Sequence, residues 1–247
     1  MSQLIPVVNA GFMYVNNLAI AVASNTTLTV GTGQCRDSNN KIDMTVASAI
    51  TINAEVNGAA GLDTGTFAAS TWYYVHVIAD STNNHTTSAL ISLSRTAPTL
   101  PAGYDSFRWI GQALSDGSVH FLSMYIYGSG TERTLFWDSS ISVLSGGSAT
   151  TLTAVTLTAG VPPIENTPVW LSVSFTPNTA ADSVGLIPAG STATTIQQFS
   201  GVVATKAQIV QARILSKLAS SVAKIQYINS AASGATTLLV DGFDYSL

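Results

Sequence analysis

Full charges are scarce in this 247-residue sequence, because Asp, Glu, Lys and Arg together make up only 9% of it. A typical soluble domain carries about 25% of these residues. An active site needs ionisable side chains brought together in a cleft. The whole supply here is nine basic residues, 13 acidic residues, three histidines and one cysteine. The scarcity favours a packing and assembly protein over an enzyme.

Positive charge is spread thinly and forms no basic run, and the formal net charge is −4. Binding to nucleic-acid phosphates requires a basic patch, so the sequence predicts no nucleic-acid partner. A weakly charged surface resists association poorly. Such a surface suits a protein that buries much of it against other subunits.

The single cysteine, Cys35, excludes a disulfide within the chain, so stability does not depend on an oxidising compartment. We expect it to be a small, partly buried structural residue. No stretch reaches the roughly 18 apolar residues of a membrane helix. The apolar N-terminal run lacks a positive region and is interrupted by Asn9, Asn16 and Asn17. These features predict no secretion signal and no membrane association, and we expect synthesis in a cytoplasm.

Apolar and polar residues alternate with a period of two through much of the chain, which is typical of half-buried strands. In 167–177 the alternation is clear, and 72–79 is apolar on both faces. The segments 107–114 and 119–127 flank Asp116-Gly117 and predict a hairpin. The segment 206–219 fits helical spacing in part, but its neighbours favour a strand. Further strands are predicted at 50–56, 224–228 and 236–240.

Short strands separated by Gly, Pro and Asn turns predict an all-β fold built from β-sandwiches or jelly rolls. A Gly- and Ser-rich change of composition near 137–148 indicates a boundary. We therefore predict an extended N-terminal arm at 1–26, a first β-sandwich domain at 27–137 and a second at 148–247.

Chemistry-bearing motifs are weak. The three histidines, His76, His85 and His120, show no metal-ligand spacing. The oxygen-rich segment 37–43 resembles a calcium loop, but Ile42 and Ser48 stand where Gly and Glu are required. Turn capping explains it better. The sequence gives no reason to pair any two carboxylates for glycoside hydrolysis, so we predict no catalytic residue, no metal and no cofactor.

Aromatic residues are the remaining candidates for a binding surface, and they are concentrated in the first predicted domain. Aromatic side chains on a sheet fill cores and anchor interfaces, and they also stack against sugars. Both uses stay open at this point. The candidate glycan or interface residues are Trp72, Tyr74, Trp109, Tyr125 and Tyr127.

Three stretches resemble a module of tailed-bacteriophage virion proteins: NTTLTVGTGQCRDS (25–38), ITINAEVNGAAGLDTGTFAASTWYYVHVI (50–78) and APTLPAGYDSFRWIGQAL (97–114). The resemblance covers about 25–127, and only LLVDGFDYSL is similar in the second half. Proteins of this kind are tail-fibre, head-fibre or other structural components. The resemblance therefore implies a class of virion protein without fixing its place on the particle.

The leading hypothesis is a non-enzymatic virion subunit, namely a short tail fibre or a fibre-anchoring protein that forms a homo-oligomer, with a homotrimer as first choice. The N-terminal arm is expected to dock on tail, neck or capsid proteins. One alternative is a capsid decoration (head-fibre) or cement protein. Another is a carbohydrate-binding receptor module that contacts a host-surface glycan. A depolymerase is disfavoured, because no long β-helical repeat is present.

Overall fold

The computed structural model describes residues 14–83, 86–128, 130–192 and 197–247. These ranges contain strands, turns and loops but no helix, so the prediction of an all-β fold is confirmed. The described residues therefore include no helix that is long and apolar enough to span a membrane. The sandwich or jelly-roll packing of the sheets stays a prediction.

The chain divides into two compact units. The first contains residues up to Leu122, together with Ile126–Arg133 and Ser246–Leu247. The second contains Ser123–Tyr125 and Thr134–Tyr245. Three strands cross the division: β11 (Met124–Tyr127), β12 (Glu132–Gly147) and β20 (Ala235–Ser246).

The first unit contains three small sheets, with the strand orders β1-β4-β5, β2-β3-β6 and β10-β8-β9-β7. Neighbouring strands are antiparallel except for β7 and β9, which are parallel. The strands are β1 (Val15–Asn17), β2 (Ile20–Val22), β3 (Thr27–Val30), β4 (Gly33–Arg36), β5 (Asp43–Val46), β6 (Ile50–Asn53), β7 (Gly61–Leu62), β8 (Trp72–Ala79), β9 (Thr87–Ser92) and β10 (Ser106–Leu114).

The central strand of the first unit is β8, whose sequence WYYVHVIA is rich in aromatic and β-branched residues. Such residues favour strands, and a run that is apolar on both faces is typical of a strand covered on both sides. All of its residues after Trp72 are buried, as the sequence predicted. Because β10 pairs only with β8, it forms one edge of its sheet.

The second unit contains two sheets. One has the order β11-β12-β20-β14-β17, and the other has the order β13-β19-β15-β16, with β18 also paired to β19. The strands not yet given are β13 (Thr153–Thr156), β14 (Pro168–Thr176), β15 (Ser183–Pro188), β16 (Gln197–Ser200), β17 (Gln208–Leu215), β18 (Lys217–Ala219) and β19 (Val222–Asn229).

The alternation predicted for 167–177 is confirmed in β14, where Val169, Leu171, Val173 and Phe175 are buried and the intervening side chains are half-buried. The ambiguous segment 206–219 is strand, in β17 and β18. Alternating side chains thus supply the core of the second unit from one face of each strand.

The division between the units differs from the predicted domain boundaries. The Gly- and Ser-rich segment 137–148 lies largely inside the 16-residue strand β12, where Ile141 and Val143 continue the alternation of a strand between the small residues. Residues 14–26 of the predicted arm include β1 and β2, and the side chains of Val15, Leu18 and Ile20 are buried. The rest of the predicted arm lies outside the described residues.

Two local predictions need correction. The turn at Asp116-Gly117 forms, but the hairpin around it is shorter than predicted. A bridge joins Ser115 to Phe121, and backbone bonds from Leu122 to Leu114 and from Asp116 to His120 flank it, whereas β11 pairs with β12 and not with β10. The strand predicted at 50–56 ends at Asn53, whose side-chain oxygen accepts the Glu55 N–H at 3.0 Å. This side-chain bond starts the turn early.

Candidate functional site

Two of the five predicted aromatic residues lie together inside the first unit. Tyr74 on β8 and Trp109 on β10 are buried, and their ring centroids are 6.4 Å apart in an edge-to-face arrangement. Trp72 is half-buried at the start of β8. These rings stabilise the sheet by packing and do not form an exposed row for stacking sugars.

The other two predicted aromatic residues are exposed on β11. The Tyr125 side chain is 56% exposed and belongs to the second unit, where its hydroxyl donates to Asp138 at 3.0 Å. Tyr127 is 62% exposed and belongs to the first unit. The five residues are thus divided among a buried pair, one half-buried position and two exposed positions.

The oxygen-rich segment 37–43 is a capped turn. Asp37 is buried, and its carboxylate accepts the backbone N–H groups of Asn39 at 3.1 Å, Lys41 at 2.5 Å and Ile42 at 2.9 Å. These bonds occupy both carboxylate oxygens. No group of three metal-binding side chains occurs in the described part of the chain.

His76 lies on β8 and is fully buried. Burial lowers its pKa to about 4. The hydrogen bond to the Ser94 carbonyl and the charge of Asp63 act in the opposite direction and raise the pKa by less. Its Nε2 lies 3.0 Å from the Ser94 carbonyl oxygen, which assigns the proton to Nε2. The other nitrogen, Nδ1, has no hydrogen-bond partner among the described residues. His85 lies outside them, and His120 faces Asp116 at 3.9 Å in an exposed turn.

Cys35 is also fully buried, and burial raises its pKa to about 12. A thiol with this pKa is not a nucleophile near neutral pH. Cys35 therefore packs as a small apolar residue in the first unit, and it is more deeply buried than the sequence predicted.

A cavity of about 390 Å³ lies at the edge strand β10. We call it the β10 cavity. The loop after β4 contributes one wall, where the Ser38 N–H and hydroxyl both donate to the Phe107 carbonyl at 2.8 and 2.9 Å. The loop after β9 contributes another. Its lining residues are Ser38, Asn39, Arg95, Thr96, Phe107, Arg108, Trp109 and Leu247.

Two arginines give the β10 cavity a positive lining. Arg95 is half-buried, and its guanidinium lies 5.1 Å from the centroid of the Trp109 ring, within the range of a cation–π contact. Arg108 is only 3% exposed, and its Nη2 atom has no hydrogen-bond partner among the described residues. Burial lowers its pKa below the ordinary arginine value, although Cys35 and Asp37 oppose the shift.

A third arginine of the first unit, Arg133, is buried as deeply as Arg108, but its guanidinium is hydrogen-bonded to four carbonyl groups. Its Nη1 donates to the carbonyls of Leu18 and Ile110, both at 3.2 Å. Its Nη2 donates to the Asn17 carbonyl, and its Nε donates to Gly130 at 3.1 Å. These four bonds make Arg133 a structural cross-link, which Arg108 is not.

The exposed face of one sheet in the second unit carries a network around Asp244. Arg213 binds this carboxylate through Nε and Nη2, and its guanidinium lies 5.5 Å from the centroid of the Trp170 ring. The Trp170 indole N–H donates to Asp244 at 3.0 Å, and the Thr134 hydroxyl donates at 2.7 Å. Burial alone would raise the pKa of Asp244, but these hydrogen bonds outweigh it and lower the pKa.

A β-bulge brings a second carboxylate to the same face. Trp170 pairs with Gly242, and Leu171 pairs with Val240, so Asp241 is the additional residue. Before the bulge the even-numbered side chains of β20 are buried, and after it the odd-numbered ones are buried. Such a change of face is what a bulge produces.

Asp241 and Asp244 therefore both point away from the core, although their spacing of three would place them on opposite faces of a regular strand. Asp241 accepts the hydroxyls of Ser140 at 2.6 Å and Ser172 at 2.8 Å. The donors and acceptors of this face are paired with one another. The network stabilises the sheet and leaves few groups for a ligand.

Sequence reasoning did not select Arg95 or Arg108, because it examined aromatic residues and carboxylates. One signal was present: Arg108 stands between Phe107 and Trp109 in a strand with apolar residues on both faces. A charged side chain in such a strand requires a specific partner or a cavity.

Comparison of the chain with protein-family models found no match, and comparison with curated proteins found none either. The resemblance to virion modules of tailed bacteriophages therefore stays a prediction.

Proposed function

We propose that this protein is a non-enzymatic structural subunit of a tailed-bacteriophage virion, made in the host cytoplasm. Within that class we propose a short tail fibre or fibre-anchoring subunit that assembles as a homo-oligomer, with a trimer as first choice. The all-β architecture and the 9% charge content support an assembling protein. The sequence resemblance over about 25–127 supplies the virion context.

The observation that carries the proposal is the open apolar edge of the second unit. Strand β17 forms the end of its sheet, and Ile209 on this strand is 74% exposed. Val202 and Val203, in the loop before it, are 77% and 53% exposed. Monomeric proteins protect edge strands with charges, prolines or bulges. Arg213 also lies on this strand, and its carbonyl accepts the Gln197 amide at 2.6 Å. The exposed apolar side chains beside it favour pairing with another subunit.

The carboxylates also favour a structural role. Asp80, Asp116 and Asp182 accept backbone N–H groups within turns, and their hydrogen bonds to Thr82, His120 and Thr179 lower their pKa values. Carboxylates held ionised in turns act as turn formers. A general acid, in contrast, needs a raised pKa.

Self-association is tested by light scattering coupled to size-exclusion chromatography on the full chain. We expect an oligomer for the natural sequence and a shift to monomer for Ile209→Lys, because a lysine on an edge strand opposes pairing. Leu93→Lys is the matched control, since Leu93 is 61% exposed but lies in the first unit. A monomeric natural protein contradicts the proposal.

Position on the particle is tested by gold-labelled antibody on purified virions. Label at the tail or neck supports the fibre proposal, whereas label over the capsid supports the alternative of a decoration or cement protein. Absence of label from every particle contradicts the virion proposal.

Docking through the N-terminal segment has a separate test. Removal of residues 1–24 would delete β1 and β2, so the truncation should end before Tyr14. We expect a chain without residues 2–13 to fail to enter particles. Far-UV circular dichroism is the control for retained strand content, and normal incorporation contradicts docking through this segment.

A carbohydrate-binding receptor module is the second candidate function, and the β10 cavity favours it. The cavity lies within the volume range of small-molecule sites, roughly 300 to 1,000 Å³, and it combines aromatic, hydroxyl and cationic groups. This function is compatible with a place on a fibre.

A further inference from the structure

We propose that the β10 cavity binds an anionic saccharide unit, one that carries a carboxylate or a phosphate group. The proposal names a ligand class for the second candidate function. It rests on the first unit alone and does not depend on whether the protein belongs to a virion.

The charge of the residues that line the cavity is the first argument. Arg95 and Arg108 both line the cavity, and none of its described lining residues is an Asp or a Glu. Asp37 directly precedes the lining residue Ser38, but its two oxygens accept three backbone N–H groups. Neither Arg95 nor Arg108 forms an ion pair with any described carboxylate. The side chains that line the cavity are thus positively charged, and an anionic ligand would balance them.

The unsatisfied hydrogen-bond donor of Arg108 is the second argument. A buried guanidinium is costly unless its donors are satisfied. Arg133 shows how the same unit satisfies a structural arginine, with four carbonyl acceptors. Arg108 is equally buried, yet its Nη2 has no acceptor among the described residues. A carboxylate or phosphate oxygen is the acceptor that pairs most strongly with it.

The rest of the lining is the third argument. The half-buried Phe107 supplies apolar surface against which the C–H face of a sugar ring packs, and the largely buried Trp109 adds only the edge that reaches the cavity. The Asn39 amide and the Thr96 hydroxyl also line the cavity, and both groups can donate and accept hydrogen bonds with sugar hydroxyls. Free phosphate would use the arginines but not these groups. The combination therefore favours an anionic sugar over an inorganic anion.

Strand β10 also has the local geometry of a site. Its register with β8 shifts between Trp109 and Gly111, directly after Arg108. Bulges of this kind re-aim side chains and are frequent beside binding sites. Because β10 is an edge strand, Arg108 from one face and Trp109 from the other both reach the same cavity.

The test is isothermal titration calorimetry of the full chain with four probes: glucuronic acid, glucose 6-phosphate, glucose and inorganic phosphate. We expect at least one of the two anionic sugars to bind, glucose to bind at least tenfold more weakly, and phosphate to bind more weakly than the anionic sugar. Glucuronic acid and glucose 6-phosphate distinguish the carboxylated from the phosphorylated ligand. Absence of binding by both anionic sugars overturns the proposal, and phosphate binding as tight as theirs overturns its saccharide part.

Two variants locate the site. Arg108→Met should lower the affinity by about tenfold or more, since a hydrogen bond to a charged group is lost, and its thermal midpoint should be unchanged or higher. Arg95→Gln, at a half-buried position, should also weaken binding and serves if the first variant does not fold. Arg213→Met, in the second unit, is the control that should bind normally. Unchanged binding by a folded Arg108→Met or Arg95→Gln protein overturns the proposal.

Discussion

Two buried amides, one in each unit, differ in how far their polar atoms are satisfied. In the second unit, Asn229 donates to the carbonyls of Gly147 at 3.0 Å and Gly234 at 3.1 Å, and its oxygen accepts the Thr236 hydroxyl at 2.7 Å. In the first unit, Gln112 on β10 is fully buried, and neither its amide nitrogen nor its amide oxygen has a partner among the described residues.

Titratable groups also differ in whether their polar atoms have partners. Asp244 and Arg213 of the second unit neutralise each other, whereas Arg108 and His76 of the first unit each keep a buried nitrogen without a partner among the described residues. Satisfied groups are cross-links whose loss destabilises the fold. Unsatisfied groups lower stability and are retained where they serve another purpose. Four measurements test this distinction.

The largest effect is expected for Asn229→Ala. The substitution removes three hydrogen bonds and leaves the buried Gly234 carbonyl, the partly buried Gly147 carbonyl and the buried Thr236 hydroxyl without this partner. Each unsatisfied buried group costs about 1–3 kcal/mol, so we expect the free energy of unfolding to fall by roughly 3 kcal/mol or more. Urea denaturation measures it. A loss below about 1 kcal/mol would contradict the role of Asn229 as a cross-link.

The next effect is the pH dependence caused by His76. Its pKa is about 4 in the folded protein and about 6.5 when unfolded, so the unfolded chain binds an additional proton between these values. Stability from the neutral imidazole is therefore complete above pH 6.5 and declines as the pH falls towards 4, by about 3 kcal/mol. Urea denaturation across this range measures it. His76→Gln should remove this part of the decline, and an identical pH profile would contradict the assignment.

A smaller effect of opposite sign is expected for Gln112→Leu. Leucine keeps most of the volume and removes two buried polar atoms that have no partner among the described residues. Replacing an unsatisfied buried group with an apolar one is neutral or stabilising, so we expect a gain of up to about 2 kcal/mol. Thermal unfolding measures it. A clear loss of stability would show that Gln112 has a partner and would weaken the contrast with Asn229.

Much of the strand content was predictable from the local pattern of apolar residues. Strand β8 is apolar on both faces and β14 alternates, and both form where the sequence indicated. The joint exposure of Asp241 and Asp244 could not be predicted, because it depends on one bulge opposite Trp170. One additional residue exchanges the faces of every later side chain.

The β10 cavity could not be predicted from the sequence either, because it depends on which strands are neighbours. Arg95 and Arg108 meet there only because β10 forms a sheet edge that the loops after β4 and β9 approach. Strand order depends on long-range pairing, and local patterns in a single sequence do not determine it. Among the aromatic candidates, alternation did not separate the buried Tyr74 from the exposed Tyr125.

The smallest effect is expected at Asp244, where the network is partly exposed. Its pKa is lowered in the folded protein, so its contribution is present above the ordinary value of about 3.9 and is lost as the pH falls through the lower folded value. Asp244→Asn should lower stability at pH 6 by about 1 kcal/mol, since solvent screens a half-exposed pair. The loss should be smaller at pH 2.5, because protonation of the unfolded state below about pH 3.9 reduces the contribution. Asp138→Asn, which alters only a hydrogen bond from Tyr125, is the control in urea denaturation. An equal loss at both pH values would mean that the geometry of the side chain, and not its charge, stabilises this face.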